Sequence, residues 1–170
     1  MWVVEFPKHK NLKKKLLSLI DEMPSGDTVK SDWDLPKEYN RKYLNLFYKE
    51  ISDLMLEVSS KFYCDSWEIY NAWFAQYSKN DKHNWHTHPL SNLSAVYYLE
   101  LPKKELVTEF KDKSKPKVKE GDILFFPSYL MHRSPINKSN KRKTVIAFNC
   151  DFRISNIENI DFTKKSFYGF

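Results

Sequence analysis

An antiparallel β-sandwich or barrel with helices packed outside it is the fold that the sequence predicts, and three observations predict it. The first third of the chain places apolar residues at helical spacing. The remainder carries short runs of aromatic and β-branched residues bounded by turn residues. No helix-length pattern separates those runs, which leaves antiparallel pairing rather than parallel crossovers.

Trp2 to Phe6 reads as a short strand. From Asn11, the residues Leu12, Leu16, Leu19, Ile20 and Met23 mark one face of a helix, ended by Pro24-Ser25-Gly26-Asp27. A loop leads to Leu35-Pro36, where proline suits the first turn of a longer helix. Its buried stripe is Leu44, Phe47, Ile51, Leu54, Val58 and Phe62. Neither helix gathers catalytic residue types on its polar face, so both are expected to flank a sheet. Trp67 to Tyr77 is strand-like, and a polar turn follows from Ser78 to Lys82. Leu93 to Leu101, Leu106 to Phe110, Ile123 to Phe126 and Lys143 to Phe152 are further strands. Glu120-Gly121-Asp122 turns the chain into the third of these. No internal repeat is present.

At 170 residues the chain is expected to be one domain. Residues 1–64 would form helical support, 65–155 the β core and 156–170 a tail. Apolar residues make up 41% and aromatics 16%, too many for disorder. Only three glycines occur, which excludes glycine-rich phosphate loops, and no Walker or Rossmann fingerprint exists. Cys64 and Cys150 are too few for a disulfide framework and read as buried free thiols in a reducing compartment. No apolar run approaches the roughly 20 residues of a membrane span, and no signal peptide is evident. These features predict a soluble, cytoplasmic protein with no membrane partner. The net charge of +6 comes from lysine clusters at Lys13 to Lys15, Lys111 to Lys119 and Lys138 to Lys143. It fits either a solvated surface or attraction to a polyanion.

The chemistry concentrates in histidines. His86-Thr87-His88-Pro89 is answered some forty residues later by His132, behind Phe125-Phe126-Pro127-Ser128. If His86-Thr87-His88 is a strand, its two imidazoles project from one face and a neighbouring strand can bring the third. Three such ligands suit a mononuclear non-haem iron more than a structural zinc, because open positions remain for oxygen and a cosubstrate. His9, flanked by lysines, is expected to face solvent. His83 lies in the turn, out of phase with the pair.

From about Trp67 to Arg153, roughly half of the chain resembles the 2-oxoglutarate/Fe(II)-dependent oxygenase superfamily, in particular small oxygenases of bacteria and marine phages. The residues that carry the resemblance are His86-Thr87-His88-Pro89, Ser94-Ala95-Val96-Tyr97-Tyr98, the Gly121-Asp122…Phe126-Pro127-Ser128…His132 turn, and Phe148-Asn149. It implies a double-stranded β-helix (a jelly-roll, cupin-like) with Fe(II) as metal and 2-oxoglutarate as cosubstrate. His86, His88 and His132 would be the metal ligands, with His88 standing where the superfamily usually has a carboxylate. That exchange replaces an anionic donor by a neutral one.

The resemblance also implies a basic anchor for the far carboxylate of 2-oxoglutarate, about ten residues after the last histidine. Arg142 is favoured there because its planar fork pairs with a carboxylate, and Lys143 is the alternative. Thr144, Asn71 and Tyr97 (or its neighbour Tyr98) are further candidates to touch the cosubstrate, whereas Trp73 is expected to pack. The implied activity is a dioxygenase that hydroxylates a substrate and releases succinate and CO2. The substrate could be a small molecule, a protein side chain or a nucleobase, and O2 is the other partner. Two alternatives stay open: a three-histidine dioxygenase of cupin type that does not use 2-oxoglutarate, and a non-catalytic jelly-roll binding module.

Overall fold

The computed structural model describes residues 1–24 and 29–154. Two antiparallel sheets face each other. The larger has six strands: β1 (Trp2–Glu5), β2 (Lys30–Ser31), β3 (Ser66–Tyr77), β5 (Leu93–Glu100), β7 (Asp122–Pro127) and β9 (Lys143–Arg153). Their spatial order is β1-β7-β5-β9-β3-β2. The smaller sheet orders β4 (His83–His86), β8 (His132–Ser134) and β6 (Glu109–Phe110) as β4-β8-β6. Strands that follow one another in sequence mostly alternate between the sheets, which is the jelly-roll arrangement.

Side-chain alternation divides the large sheet into two working faces. Phe74, Tyr97, Phe125, Ile146, Phe148 and Cys150 join the buried stripes of α1 (His9–Asp21) and α2 (Lys42–Lys61) in one core. Leu12, Leu16 and Ile20 supply the α1 stripe, and Phe47, Ile51, Leu54 and Val58 most of that of α2. The opposite face offers Ala75, Tyr77, Val96, Tyr98, Leu124, Phe126 and Val145 to the small sheet. Phe47 lies at the hinge of the first core, stacked on Tyr97 with ring centroids 5.7 Å apart and tilted against Phe148 at the same distance.

Several sequence expectations need correction. The second helix starts at Lys42 rather than at Pro36. Arg41 explains the delay: its guanidinium donates to the carbonyls of Asp32, Leu35 and Pro36 and to the Asp32 carboxylate, holding residues 32–40 as a turn. Asp32 also accepts from Tyr43 and from the Phe74 backbone, which ties that turn to β3. The stretch from Leu106 to Phe110 is mostly not strand: a 3-10 turn, Lys104–Leu106, precedes the two-residue β6. β2 and β8 were not foreseen, each being too short to show alternation. His9 is not solvent-facing. Its Nδ1 meets the Tyr97 hydroxyl at 2.7 Å, and its ring packs where Gly121 (φ +92°) leaves room that a Cβ would fill at 3.0 Å. Both cysteines are free, but Cys64 is only partly buried. Residues 25–27 of the expected helix stop, and the expected tail 156–170, lie outside the described residues. Among the described residues no helix is long and apolar enough to cross a membrane.

Candidate metal centre

Three imidazoles converge at one end of the space between the sheets. One ligand atom each from His86, His88 and His132 all lie within 4.8 Å of one another. Their ring centroids are 4.2 Å (His86–His132), 4.9 Å (His86–His88) and 5.3 Å (His88–His132) apart. The route to this convergence differs from the one that spacing suggested. β4 ends at His86, so Thr87 and His88 are not strand. His88 is brought back instead by its backbone N–H, which donates to the Ser128 carbonyl at 2.9 Å. His132 opens β8 directly opposite His86 in the ladder.

The hydrogen bonds of the rings fix which nitrogen is free. Nδ1 of His86 lies 2.8 Å from the Asn84 carbonyl, and Nδ1 of His132 lies 2.8 Å from the Leu130 carbonyl. A carbonyl can only accept, so both Nδ1 atoms carry the proton and both Nε2 atoms keep a lone pair for a ligand. Backbone carbonyls often orient metal-binding histidines in this way. Burial pushes both His88 and His132 down to about 4, further lowered by neighbouring imidazoles. Near neutral pH these two are uncharged donors. His83 stacks on His86 at 4.3 Å but contributes no atom to the cluster. Trp73 packs its ring 5.6 Å from His88 and is itself met edge-on by Trp33. Three neutral imidazoles suit Fe(II) among other divalent metals, so the donor set fits.

Behind the imidazoles a cavity of about 40 Å³ runs between the sheets toward Lys143. Lys143 is 2% exposed, and its Nζ donates to Ser134 Oγ at 2.8 Å. The ammonium sits over the rings of Tyr77 (4.9 Å) and Tyr98 (5.9 Å). Among the described residues it has no carboxylate partner, and burial alone pushes it down to about 7. A buried cation of this kind is costly unless an anion joins it.

Of the other expected contacts, the structure does not bring Arg142 to the cavity. Its guanidinium is engaged by Glu100 and Asp21, each at 2.8 Å. Thr144 follows it onto that side and donates to the same Glu100 carboxylate. The cause is strand alternation: Arg142 and Thr144 point one way, Lys143 the other. Tyr97 likewise points into the helical core, and Tyr98 is the tyrosine on the cavity side, where its hydroxyl meets Thr108 at 2.8 Å. Asn71 is exposed and does not line the cavity; its Oδ1 accepts from Asn149 at 2.9 Å, while Asn149, which does line it, accepts from Ser94 at 2.7 Å. Ser134 was missed in sequence, and Ser94 and Asn149, though part of the motifs quoted there, were given no role at the site. Counting in steps of two from Lys143 through Val145 and Ala147 reaches Asn149, so alternation held the signal for one of them.

The fold is a jelly-roll, and the three histidines form a candidate metal site between its sheets. The family described as "Putative 2OG-Fe(II) oxygenase" matches residues 71–118, which include His86 and His88 but not His132 or Lys143. Over that stretch, under a third of the chain, the sequence is similar to 2-oxoglutarate/Fe(II)-dependent oxygenases. No curated protein matches the sequence. Among solved structures, the chain is similar to the viral collagen prolyl hydroxylase of Paramecium Bursaria Chlorella virus-1, in its 2OG complex. Identity is 18%, with a TM-score of 0.59, over 88% of this chain and 94% of that one. An oxidoreductase of the 2OG-Fe(II) oxygenase family from Burkholderia pseudomallei gives 12% identity and a TM-score of 0.65 over 87% and 83%. HygX from Streptomyces hygroscopicus, with nickel and 2-oxoglutarate bound, gives 11% and 0.63 over 87% and 81%. At such identities these likenesses speak for the fold.

Proposed function

We propose that His86, His88 and His132 hold Fe(II), that Lys143 rather than Arg142 anchors the far carboxylate of 2-oxoglutarate, and that the reaction is a hydroxylation. The overall balance is substrate C–H plus O2 plus 2-oxoglutarate giving C–OH, succinate and CO2. The observation that carries the reading is the buried, carboxylate-free Lys143 ammonium in the same cavity as three imidazoles with fixed tautomers. Bound at the imidazoles, Fe(II) supplies the oxygen chemistry that couples decarboxylation of the cosubstrate to oxidation of the substrate.

The chain's own groups do the rest. The Asn84 and Leu130 carbonyls hold two imidazoles in the ligating tautomer. Ser134 Oγ aims the Lys143 ammonium, and an incoming carboxylate replaces the missing counter-charge. Trp73 covers His88 and keeps water from that side of the site. The cavity of about 40 Å³ has room for little more than a water molecule or two, so a five-carbon dicarboxylate requires its lining side chains to part. No carboxylate stands in the ligand set, so the near carboxylate of the cosubstrate would bring a negative charge to the metal while its far carboxylate meets Lys143. Fe(II) and 2-oxoglutarate are therefore expected to strengthen one another's binding reciprocally.

The test is succinate formation from 2-oxoglutarate by the Fe(II)-loaded protein in air. Succinate formed by the wild type and lost in His132→Ala supports the reading; equal formation by both would remove His132 from the metal centre. Binding of Fe(II) without binding of 2-oxoglutarate would instead favour a three-histidine oxygenase that needs no cosubstrate.

A further inference from the structure

The small sheet has a second face, turned away from the imidazoles. Along its strands the neighbours of the site residues point outward: Trp85 beside His86, Arg133 beside His132, and Glu109 beside Phe110. Arg133 pairs with Glu109 across the strands at 2.7 Å and lies 4.5 Å from the Trp85 ring. Lys111 approaches the same ring at 5.2 Å. The half-buried indole is thus surrounded by cations.

Two grooves flank this indole. One, of about 830 Å³, is lined by Lys82, Lys103, Lys104, Arg133 and Lys138 among others. The other, of about 680 Å³, contains Trp85 and adds Lys111, Lys113 and Lys115. They share Lys104, Glu105 and Glu109, so they form one continuous surface. The two walls together bring eight basic side chains and two carboxylates, Glu105 and Glu109. The whole chain has 28 basic and 22 acidic residues, so removing those eight and two leaves 20 of each. The groove walls thus carry an excess of six basic residues, equal to the net charge of the whole chain.

Lys8, Lys13, Lys61 and Lys119 each meet a carboxylate elsewhere on the protein. Among the described residues, none of the seven lysines of the grooves forms an ion pair. The one further carboxylate on the segment, Asp112, is turned to the backbone N–H of Ser114 at 2.9 Å. Lysines without an ion pair among the described residues also occur elsewhere, Lys14, Lys15 and Lys49 among them, but here seven of them gather around an aromatic platform.

We infer that this outer face of the small sheet is a docking surface for single-stranded nucleic acid. The lysines supply point charges for successive phosphates, and the Trp85 indole supplies a face on which a base can stack. An acidic peptide would satisfy the lysines but leave the indole unused. The proposal does not depend on the oxygenase reading: the larger groove adjoins the cavity through His83, Arg133 and Ser134, but neither Trp85 nor any of the seven lysines is a metal ligand or lines that cavity.

The experiment is fluorescence anisotropy of a labelled 12-nucleotide oligothymidylate with the intact chain, at several salt concentrations. Expected is micromolar-range binding at low salt, with log affinity falling against log salt at a slope of about −4. Lys104→Glu/Lys111→Glu/Lys113→Glu weakens binding by more than about tenfold and flattens the slope. Trp85→Leu weakens it by about five- to a hundredfold, as loss of base stacking does, and leaves the slope unchanged. Lys14→Glu/Lys15→Glu on α1 changes neither, and binding survives His132→Ala and chelation, which separates this result from any failure at the metal centre. Binding of polyglutamate competitively and with equal strength, with no effect of Trp85→Leu, would overturn the proposal in favour of an acidic protein partner. Absence of salt-sensitive binding would reduce the surface to solvated lysines.

Discussion

β9 serves two different regions with alternate residues. Thr144, Ile146, Phe148 and Cys150 face the helices, whereas Lys143, Val145, Ala147 and Asn149 face the cavity and the small sheet. On the helical side the large aromatic rings of Phe47, Tyr97, Phe125 and Phe148 fill the space, and the polar groups there have partners within the protein. On the cavity side the residues are smaller, and a buried ammonium has no counter-charge among the described residues. One side is finished by folding; the other is left to be completed by ligands. Stability and function are thus read from the same strand in steps of two.

Substitutions on the two sides are therefore expected to separate cleanly. The largest stability effect belongs to the helical side: Phe47→Ala removes a fully buried ring and is expected to cost about 3–5 kcal/mol, measured by urea unfolding. A loss under about 1 kcal/mol would mean that this core is not where the fold is held. On the cavity side, His132→Ala is expected to lower Fe(II) affinity by more than about a hundredfold, beyond what removing a supporting partner does, with cooperative unfolding retained. Calorimetry with Fe(II) or Co(II) and a thermal melt would check both halves.

Lys143→Ala is expected to weaken 2-oxoglutarate binding about ten- to a hundredfold, the range of a charge-assisted hydrogen bond, while metal binding persists. The pH dependence has a definite sign. With the Lys143 ammonium pushed down to about 7, the cation that receives a carboxylate is lost as pH rises above that value in the free protein. Affinity for 2-oxoglutarate should fall from pH 7 to 9 in the wild type and stay level in Lys143→Arg. The same lowered value makes unfolding harder as pH rises from about 7 toward 10.5, because the unfolded chain binds the extra proton in that window.

His88→Asp tests the neutral ligand set. Returning a carboxylate is expected to tighten Fe(II) binding in the absence of 2-oxoglutarate by about tenfold and to weaken the mutual reinforcement of the two ligands. The smallest effect is expected at Arg142. Its pairs with Glu100 and Asp21 are partly exposed and screened, so Arg142→Ala should cost at most about 1 kcal/mol. It should leave 2-oxoglutarate affinity unchanged, and a tenfold loss there would return Arg142 to the role of anchor.

Much of this was legible in the sequence wherever a pattern ran long enough. α1 and most of α2 followed from apolar spacing, and β3, β5, β7 and β9 from their β-branched and aromatic runs. The three histidines were found by motif, but their convergence depends on a loop hydrogen bond from His88 to Ser128 that no periodicity encodes. The choice between Arg142 and Lys143 turns on a one-residue phase at the start of β9, fixed by Lys143 pairing with Tyr77 across the ladder. Chemistry alone favoured arginine, whereas the phase of the strand turns Lys143 into the cavity and Arg142 away from it. The two-residue and three-residue strands β2, β6 and β8 exist through their partners, so the local sequence had little to reveal about them.

The claim that three neutral imidazoles and one buried lysine together make a site for Fe(II) and 2-oxoglutarate is tested most directly by anaerobic titration. 2-Oxoglutarate would be added to the Fe(II)-loaded protein while the visible metal-to-ligand charge-transfer absorption is followed. The account predicts saturation at one equivalent, with the band lost in His132→Ala and the midpoint raised at least about tenfold in Lys143→Ala. An Fe(II)-loaded wild type that binds no 2-oxoglutarate, or binds it equally well without Lys143, would contradict it.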